Sequence, residues 1–382
     1  MYLIPVTSQI NSQRELPVVR QEQRKKADCE QETAMAVVPN KKVVLKRYVT
    51  GYPVVEDMEV VAGSAELRVP AGVTGVLVKN LYLSCDPWMR GRMSKPAEGG
   101  AVSVPAFALV NYGVCKVVES THPKFNAGDL VWGMSGWEEY TLLTQPEPLL
   151  FKITHPELPL SHYSGVIGMT GLTAYSGFVK VGRPKKGDAV FVSAASGAVG
   201  QIVGQLAKIA GCYVVGSAGS DEKTETSLAA ALRLRFPDGI DIYYDNVGGA
   251  TLDAALLQMR HGGRIVVCGM ISQYNLEEPE GVRNLRVIIP MAVRLEGVNV
   301  MDHFHAYASF EEEMAGYIKE GKVKVGEDVV EGIDKAPEAL IGLFSGRNVG
   351  KKLGGIEKAP EALIGLFSGR NMGKKLVAIA SD

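Results

Sequence analysis

The sequence predicts an α/β protein in two parts: an all-β unit of barrel type, then a doubly wound parallel sheet of Rossmann type. Three observations carry this. From Lys41 to about Leu150, short strand-like pieces (KVVLKRYV, AELRVP, GVLVKNLYLSC, YGVCKVVES, DLVWGM, EEYTLL) are punctuated by Gly and Pro at close spacing. From Leu158 onward, helical and strand-like periods alternate. Within that second part, between about Lys185 and Gly269, an apolar run leads through a small-residue turn into a helical period, as a dinucleotide site requires.

Residues 1–34 are polar, lack apolar periodicity and carry Glu15, Glu22, Asp28, Glu30 and Glu32. A signal peptide needs an apolar centre and a transit peptide is poor in acids, so this segment reads as a disordered extension. The folded part is expected to open at about Met35. Lys+Arg 41 against Asp+Glu 42, with no basic run, argues against nucleic acid or anionic membrane as the main partner. The longest apolar stretch, Val287–Val293, is broken by Pro290 and falls far short of the ~18–20 residues that span a bilayer. Five scattered cysteines (Cys29, Cys85, Cys115, Cys212, Cys268) without a CxxC pair suit reduced thiols and a cytoplasmic location. Cys115, Cys212 and Cys268 sit in apolar strand text and read as small buried hydrophobes.

The segment KKGDAVFVSAASGAVGQIVGQLAKIAGCYVVGSAGS is the most informative. Ala189–Ala194 is continuously apolar, as for a strand buried on both faces. Val199, Ile202, Val203, Leu206 and Ile209 follow at helical spacing, and Gly211 ends the helix. Between strand and helix, Ala195-Ser196-Gly197-Ala198-Val199-Gly200 is the dinucleotide fingerprint with Ala in its first glycine position. Gly197 lets backbone approach a pyrophosphate, Gly200 lets helix and strand pack closely, and the anion rests on the helix amides. A second strand, Cys212–Gly216, ends in Gly216-Ser217-Ala218-Gly219-Ser220 with Lys223 close behind. The acid that an NAD enzyme places there for the ribose 2′-hydroxyl is missing, so a 2′-phosphate is accepted and NADPH preferred. Lys223 alone is ambiguous, being equally a solvated surface lysine.

The C-terminal part repeats itself. Ile333–Leu353 (IDKAPEALIGLFSGRNVGKKL) recurs as Ile356–Leu376 (IEKAPEALIGLFSGRNMGKKL), at a 23-residue offset. Two copies are too few for a solenoid. Only one fits a single structural slot; the second runs on into LVAIA, a closing strand, and the first into Gly354-Gly355. The second copy is therefore expected in place and the first extruded.

The motifs LKRYVTGYP, LYLSCDPWMRGRM, GDLVWG, GWEEY, GMTGLTAY, AASGAVG, GSAGSDEK, YDNVGG, GMISQYN and GRNMGKK together resemble the plant NADPH-dependent 2-alkenal reductases (double-bond reductases). These are zinc-free members of the medium-chain dehydrogenase/reductase superfamily, close to the leukotriene B4 dehydrogenases and prostaglandin reductases. The resemblance runs from Met35 to Asp382. It implies a GroES-like β-barrel catalytic domain (35–160 and 319–382) around a Rossmann NADPH-binding domain (161–318), a homodimer, and reduction of the C=C bond of α,β-unsaturated aldehydes and ketones. By motif, Met169 and Thr173 would line the cofactor, with Asn246 and the stretch Cys268, Gly269, Ile271 and Ser272 beside the nicotinamide. Asn371, or its duplicate Asn348, would meet the nicotinamide end. Tyr274 resembles the pocket tyrosine that hydrogen-bonds the substrate carbonyl. Three departures stand out: Trp88 replaces the usual tyrosine of DPYM, on the substrate side; some 20 residues are absent after Lys223, which predicts a sheet lacking one edge strand; and the tail is duplicated.

A catalytic zinc needs three protein ligands and an open position. Cys85-Asp86 is not followed by Gly-His-Glu, and His122, His303 and His305 read as loop histidines, so no metal is expected. Without one, the carbonyl must be polarised by hydrogen bonding as hydride reaches the β-carbon, and Tyr274 is the candidate catalytic donor; a merely packing loop tyrosine is the alternative. Tyr52, with Tyr48, either walls an apolar substrate pocket or packs in the core. Two other functions are compatible with the text: a zinc-free NADPH quinone reductase, and a non-catalytic NADPH-binding relic.

Overall fold

The computed structural model describes residues 36–95, 106, 108–218, 225–344 and 373–380. The proposed extension at 1–34, and Ser220, Lys223, Asn348 and Asn371, lie outside the described residues. Nine strands precede the α/β part: β1 (Val37–Pro39), β2 (Lys42–Leu45), β3 (Met58–Val61), β4 (Ser64–Glu66), β5 (Val76–Ser84), β6 (Val110–Ser120), β7 (Leu130–Gly136), β8 (Tyr140–Leu143) and β9 (Leu150–Lys152). A short helix α1 (Met89–Arg92) follows β5. Then come α2 (Met169–Tyr175), β10 (Ala189–Val192), α3 (Ala198–Ile209), β11 (Tyr213–Gly216), α4 (Glu225–Arg235), β12 (Ile240–Asp245), α5 (Gly249–Leu256), β13 (Met259–Val267) and β14 (Arg294–Gly297). The chain closes with α6 (Tyr307–Lys319), β15 (Glu327–Glu331), α7 (Ala336–Phe344) and β16 (Lys374–Ala378).

Five strands form a parallel sheet in the order β11-β10-β12-β13-β14. The order reverses between β10 and β12, which is where an open α/β sheet leaves a crevice at its carboxyl edge. All four residues of β10 are buried, as its unbroken apolar text requires. In α3, Ile202, Val203 and Leu206 are buried while Ile209 is 37% exposed, so the apolar stripe ends one turn early. Gly211, at φ 76, then turns the chain toward β11. Among the described residues nothing pairs with the outer side of β11, and α4 carries the chain straight on to β12. The shortened text after Lys223 is thus accommodated by a narrower sheet.

The other sheet has seven strands, β15-β16-β5-β6-β7-β9 with β8 also on β5. It is antiparallel except for β15 and β16, which run parallel. Strand β16 thus lies between β15 and β5, so the late part of the chain completes the sheet begun by the early part. One apolar cluster joins both halves through Trp132, Tyr163, Ile167, Phe178, Val190, Val203 and Phe310.

Two expectations need correction. The helix in the α7 slot comes from the first repeat copy, with Ile333, Ala336, Ala339 and Leu340 buried against Leu83, Met93 and Trp137. Strand β16 comes from the second copy. The first copy is therefore not extruded as a unit; the slots are shared between copies. Chain continuity explains the helix, because β15 leads into Ile333 through a turn at Gly332 (φ 87). Burial explains the strand: Leu376 and Val377 are wholly buried, and the first copy would put Gly354 where Val377 packs. The second correction concerns the thiols. Cys115 is buried in β6, but Cys212 and Cys268 lie just outside strand ends and are only partly buried.

Candidate functional site

The phosphate turn is built where β10 gives way to α3. Ala194 adopts a left-handed φ of 47, a strained choice for a residue with a side chain and one that recurs at ligand turns. Gly197 is the N-cap of α3 and no side chain caps the helix. The first-turn amides, which have no partner within a helix, are left for an anion. Gly200 fits because it must: a Cβ there would lie 2.4 Å from the Ala194 carbonyl oxygen and 2.7 Å from the Ala195 Cα. Ser196, Gly197, Ala198 and Val199 remain partly accessible on this turn. Beside it, the Ala195 amide donates to the Ser217 carbonyl (2.8 Å) and the Ser217 amide to the Val192 carbonyl (2.9 Å). Gly216 and Ser217 are thereby drawn against the turn. No carboxylate stands at 216–218. These features fit the pyrophosphate and ribose of a dinucleotide.

Asn246 and the 268–272 stretch meet at the carboxyl ends of β12 and β13. The Asn246 side chain donates to the Ser193 carbonyl (2.7 Å) and its amide to the Ser193 hydroxyl (2.9 Å). The Cys268 and Gly269 amides donate to the Asp245 carbonyl, Ile271 to Asn246 and Ser272 to Val247. The Ser272 hydroxyl adds a bond to the Val247 carbonyl at 2.6 Å. Burial raises the Cys268 thiol to about 11, so it stays protonated near neutrality. Thr173 joins this group through its carbonyl, which accepts from the buried Tyr244 hydroxyl at 3.1 Å, and its own hydroxyl donates to the Met169 carbonyl.

The hydroxyl of Tyr274 accepts from the Met270 amide at 3.0 Å. A Cβ on Gly269 would lie only 2.9 Å from that hydroxyl oxygen. Burial raises its pKa. The phenol is therefore neutral, held on its acceptor side and free to donate its proton.

In the β-sheet part, Trp88 is half-buried against Tyr112 (ring centroids 6.4 Å apart), with the Arg92 guanidinium 5.6 Å over its ring. Tyr52 is 65% exposed, which excludes the core-packing alternative. Its turn is clamped by buried Arg90, which donates to the Gly51 and Val49 carbonyls. A Cβ on Gly51 would come within 3.7 Å of Glu277, three residues beyond Tyr274. The Tyr52 turn thus borders the Tyr274 loop.

Sequence reasoning missed two buried clusters. Lys374 of β16 donates to Asp86, to the Cys85 carbonyl (3.3 Å) and to the Thr170 hydroxyl (3.1 Å), while Asp86 also accepts from Ser84 and Asn111. This ties the segment before Trp88 to the helix that begins at Met169. The second cluster is Ser193, Tyr243 and Asp245. A carboxylate inside the apolar text IDIYYD was the available signal for it. Among the described residues, no group of three His, Cys, Asp or Glu side chains is placed to hold a metal ion, and no helix is long and apolar enough to cross a membrane.

Residues 41–151 match the N-terminal domain of oxidoreductase and residues 198–316 the zinc-binding dehydrogenase family. The chain is 56% identical over 335 residues to an NADP(+)-dependent 2-alkenal reductase of Nicotiana tabacum, covering 83% of this chain and 97% of the relative. It is 48% identical over 337 residues to (+)-pulegone reductase of Mentha piperita, covering 83% and 98%. The crystal structure of CurA from Vibrio vulnificus in complex with NADPH superposes with a TM-score of 0.72 at 31% identity, covering 90% of this chain and 100% of that one. The chain belongs to the NADP-dependent 2-alkenal reductase group of the medium-chain dehydrogenase/reductase superfamily.

Proposed function

We propose that the protein reduces the C=C bond of α,β-unsaturated aldehydes and ketones with NADPH, without zinc, as a cytoplasmic homodimer. Residues 161–318 would bind the cofactor, and 35–160 with 319–382 would form the catalytic part. The observation that carries the reading is the Tyr274 hydroxyl, engaged by Met270 as acceptor and set against Gly269 at the end of the cofactor bed. When bound, NADPH supplies the hydride that adds to the β-carbon. Negative charge then develops on the carbonyl oxygen, a neutral phenol donating to it stabilises the enolate by a few kcal/mol, about the size of one oxyanion donor, and a proton from solvent then adds at the α-carbon. Tyr52 and Trp88 would offer the apolar surface for the rest of the substrate.

Consumption of NADPH with a medium-chain 2-alkenal tests the reading. Turnover should be indifferent to chelator and slower with NADH. Tyr274→Phe should lower kcat by about 100- to 1,000-fold while the Kd for NADPH stays within about twofold. Activity on quinones alone would replace this function with quinone reduction, and tight NADPH binding without turnover of either class would mark a binding relic.

A further inference from the structure

Asp245 is wholly buried at the carboxyl end of β12, beside the point where the strand order reverses. One of its carboxylate oxygens, Oδ1, accepts four donors: the Tyr243 hydroxyl (2.5 Å), the Gly248 amide (2.9 Å), the Val247 amide (3.0 Å) and the Ser193 hydroxyl (3.3 Å). Among the described residues the other oxygen has no hydrogen-bond partner. Its backbone carbonyl accepts the Cys268 and Gly269 amides. The Ser193 hydroxyl also lies 3.1 Å from the Tyr243 hydroxyl and accepts from the Asn246 amide. A buried carboxylate is costly unless its hydrogen bonds are good, and here the donors crowd onto one atom.

The consequence is topological. Ser193 is the last residue before the phosphate turn that begins at Ala194. Residues 246–248 carry Asn246. Residues 268–272 bring Gly269 and Tyr274 to the crevice. The Asp245 side chain joins the first two segments, and its backbone carbonyl receives the Cys268 and Gly269 amides of the third. We propose that Asp245, braced by Tyr243 and Ser193, is a positioning residue whose side chain sets the phosphate turn and the 246–248 segment, and through them the 268–272 stretch, in register for a bound NADPH. It touches neither cofactor nor substrate; it acts through the segments it joins.

Asp245→Asn keeps the size and weakens the charge-assisted bonds. NADPH binding, followed by calorimetry and by the fluorescence of the bound cofactor, should weaken about tenfold. The emission of the bound form should move toward that of free NADPH, which a loss of stability alone would not produce. Tyr243→Phe and Ser193→Ala each remove one strut and should weaken binding by about threefold. The KM for NADPH should rise more than the KM for the enone. Unchanged affinity and emission in Asp245→Asn, with only a lower Tm, would overturn the proposal. Should Asp245→Asn fail to fold, the two milder variants decide, and wild-type affinity in both overturns it. Because the titration contains no enone, its outcome is independent of the reaction assigned above.

Discussion

Gly200→Ala adds one methyl group between the phosphate turn and the first turn of α3. The new carbon would start 2.4 Å from the Ala194 oxygen, 2.7 Å from the Ala195 Cα and 3.0 Å from the Ala194 carbonyl carbon. A relaxed carbon–oxygen contact is about 3.3–3.6 Å, so helix and turn must part by about 1 Å. All three obstacles are backbone atoms, and none can swing aside as a side chain would. Overpacking of this kind costs about 1–3 kcal/mol, offset by roughly 0.5–1 kcal/mol of helix propensity gained on replacing glycine. Binding suffers separately, since the amides that receive the pyrophosphate move with the helix; loss of one such charge-assisted bond, about 1.5–3 kcal/mol, weakens NADPH by about 10- to 100-fold. Thermal unfolding of the apoprotein and calorimetric titration with NADPH measure the two effects. Gly316→Ala in α6 is the control: nothing lies within 4 Å of its added carbon, so it should stabilise slightly and leave affinity alone. If Gly200→Ala raises Tm as the control does and binds NADPH normally, the close-approach explanation of this glycine is wrong.

The tail and the thiols give three further outcomes. Deleting residues 345–367 leaves the first copy's helix and the second copy's strand, joined by five residues in place of the 28 at 345–372; loop-closure entropy then favours the shortened chain by about 1.5 kcal/mol, and a lower Tm would show that the removed residues contribute contacts. Burial holds Cys268 and Cys212 at about 11 and Cys85 and Cys115 at about 12, against about 8.5 in an unfolded chain. Alkylation of the native protein at pH 8 should therefore be roughly 200-fold slower at Cys268 than at a free cysteine. The same shift means stability that is complete below about pH 8.5 and declines as pH rises toward about 11, which unfolding titrations at alkaline pH would detect.

Features that depend on neighbours in sequence were legible in advance. The turn from Ala194 to Gly200 and the helix after it are set by local period and by small residues at fixed offsets. The narrower sheet, with no strand outside β11 among the described residues, followed from the short spacing after Lys223 relative to the reductases the sequence resembles. Asp245 was not legible as a hub, because its Ser193 partner lies 52 residues away. Nor was the pairing of Lys374 with Asp86, across 288 residues. The repeat defeated sequence reasoning for a different reason. Its copies are nearly identical, so their own residues barely distinguish them, and the outcome rests on what flanks each: Gly332 before the first and Val377 after the second.

The place of β16 bears on how the protein is made. It is an interior strand, flanked by β15 on one side and β5 on the other, yet it is the last strand of the described chain. On the ribosome, β5 to β9 emerge long before it and must wait with one edge unpaired, and β15 has nothing to join until β16 arrives. Premature termination anywhere before Lys374 would strand β15 and withdraw the ammonium that faces Asp86, leaving a carboxylate buried without its cation. Incomplete chains would thus be conspicuous to proteases and chaperones, and only full translation would close the sheet.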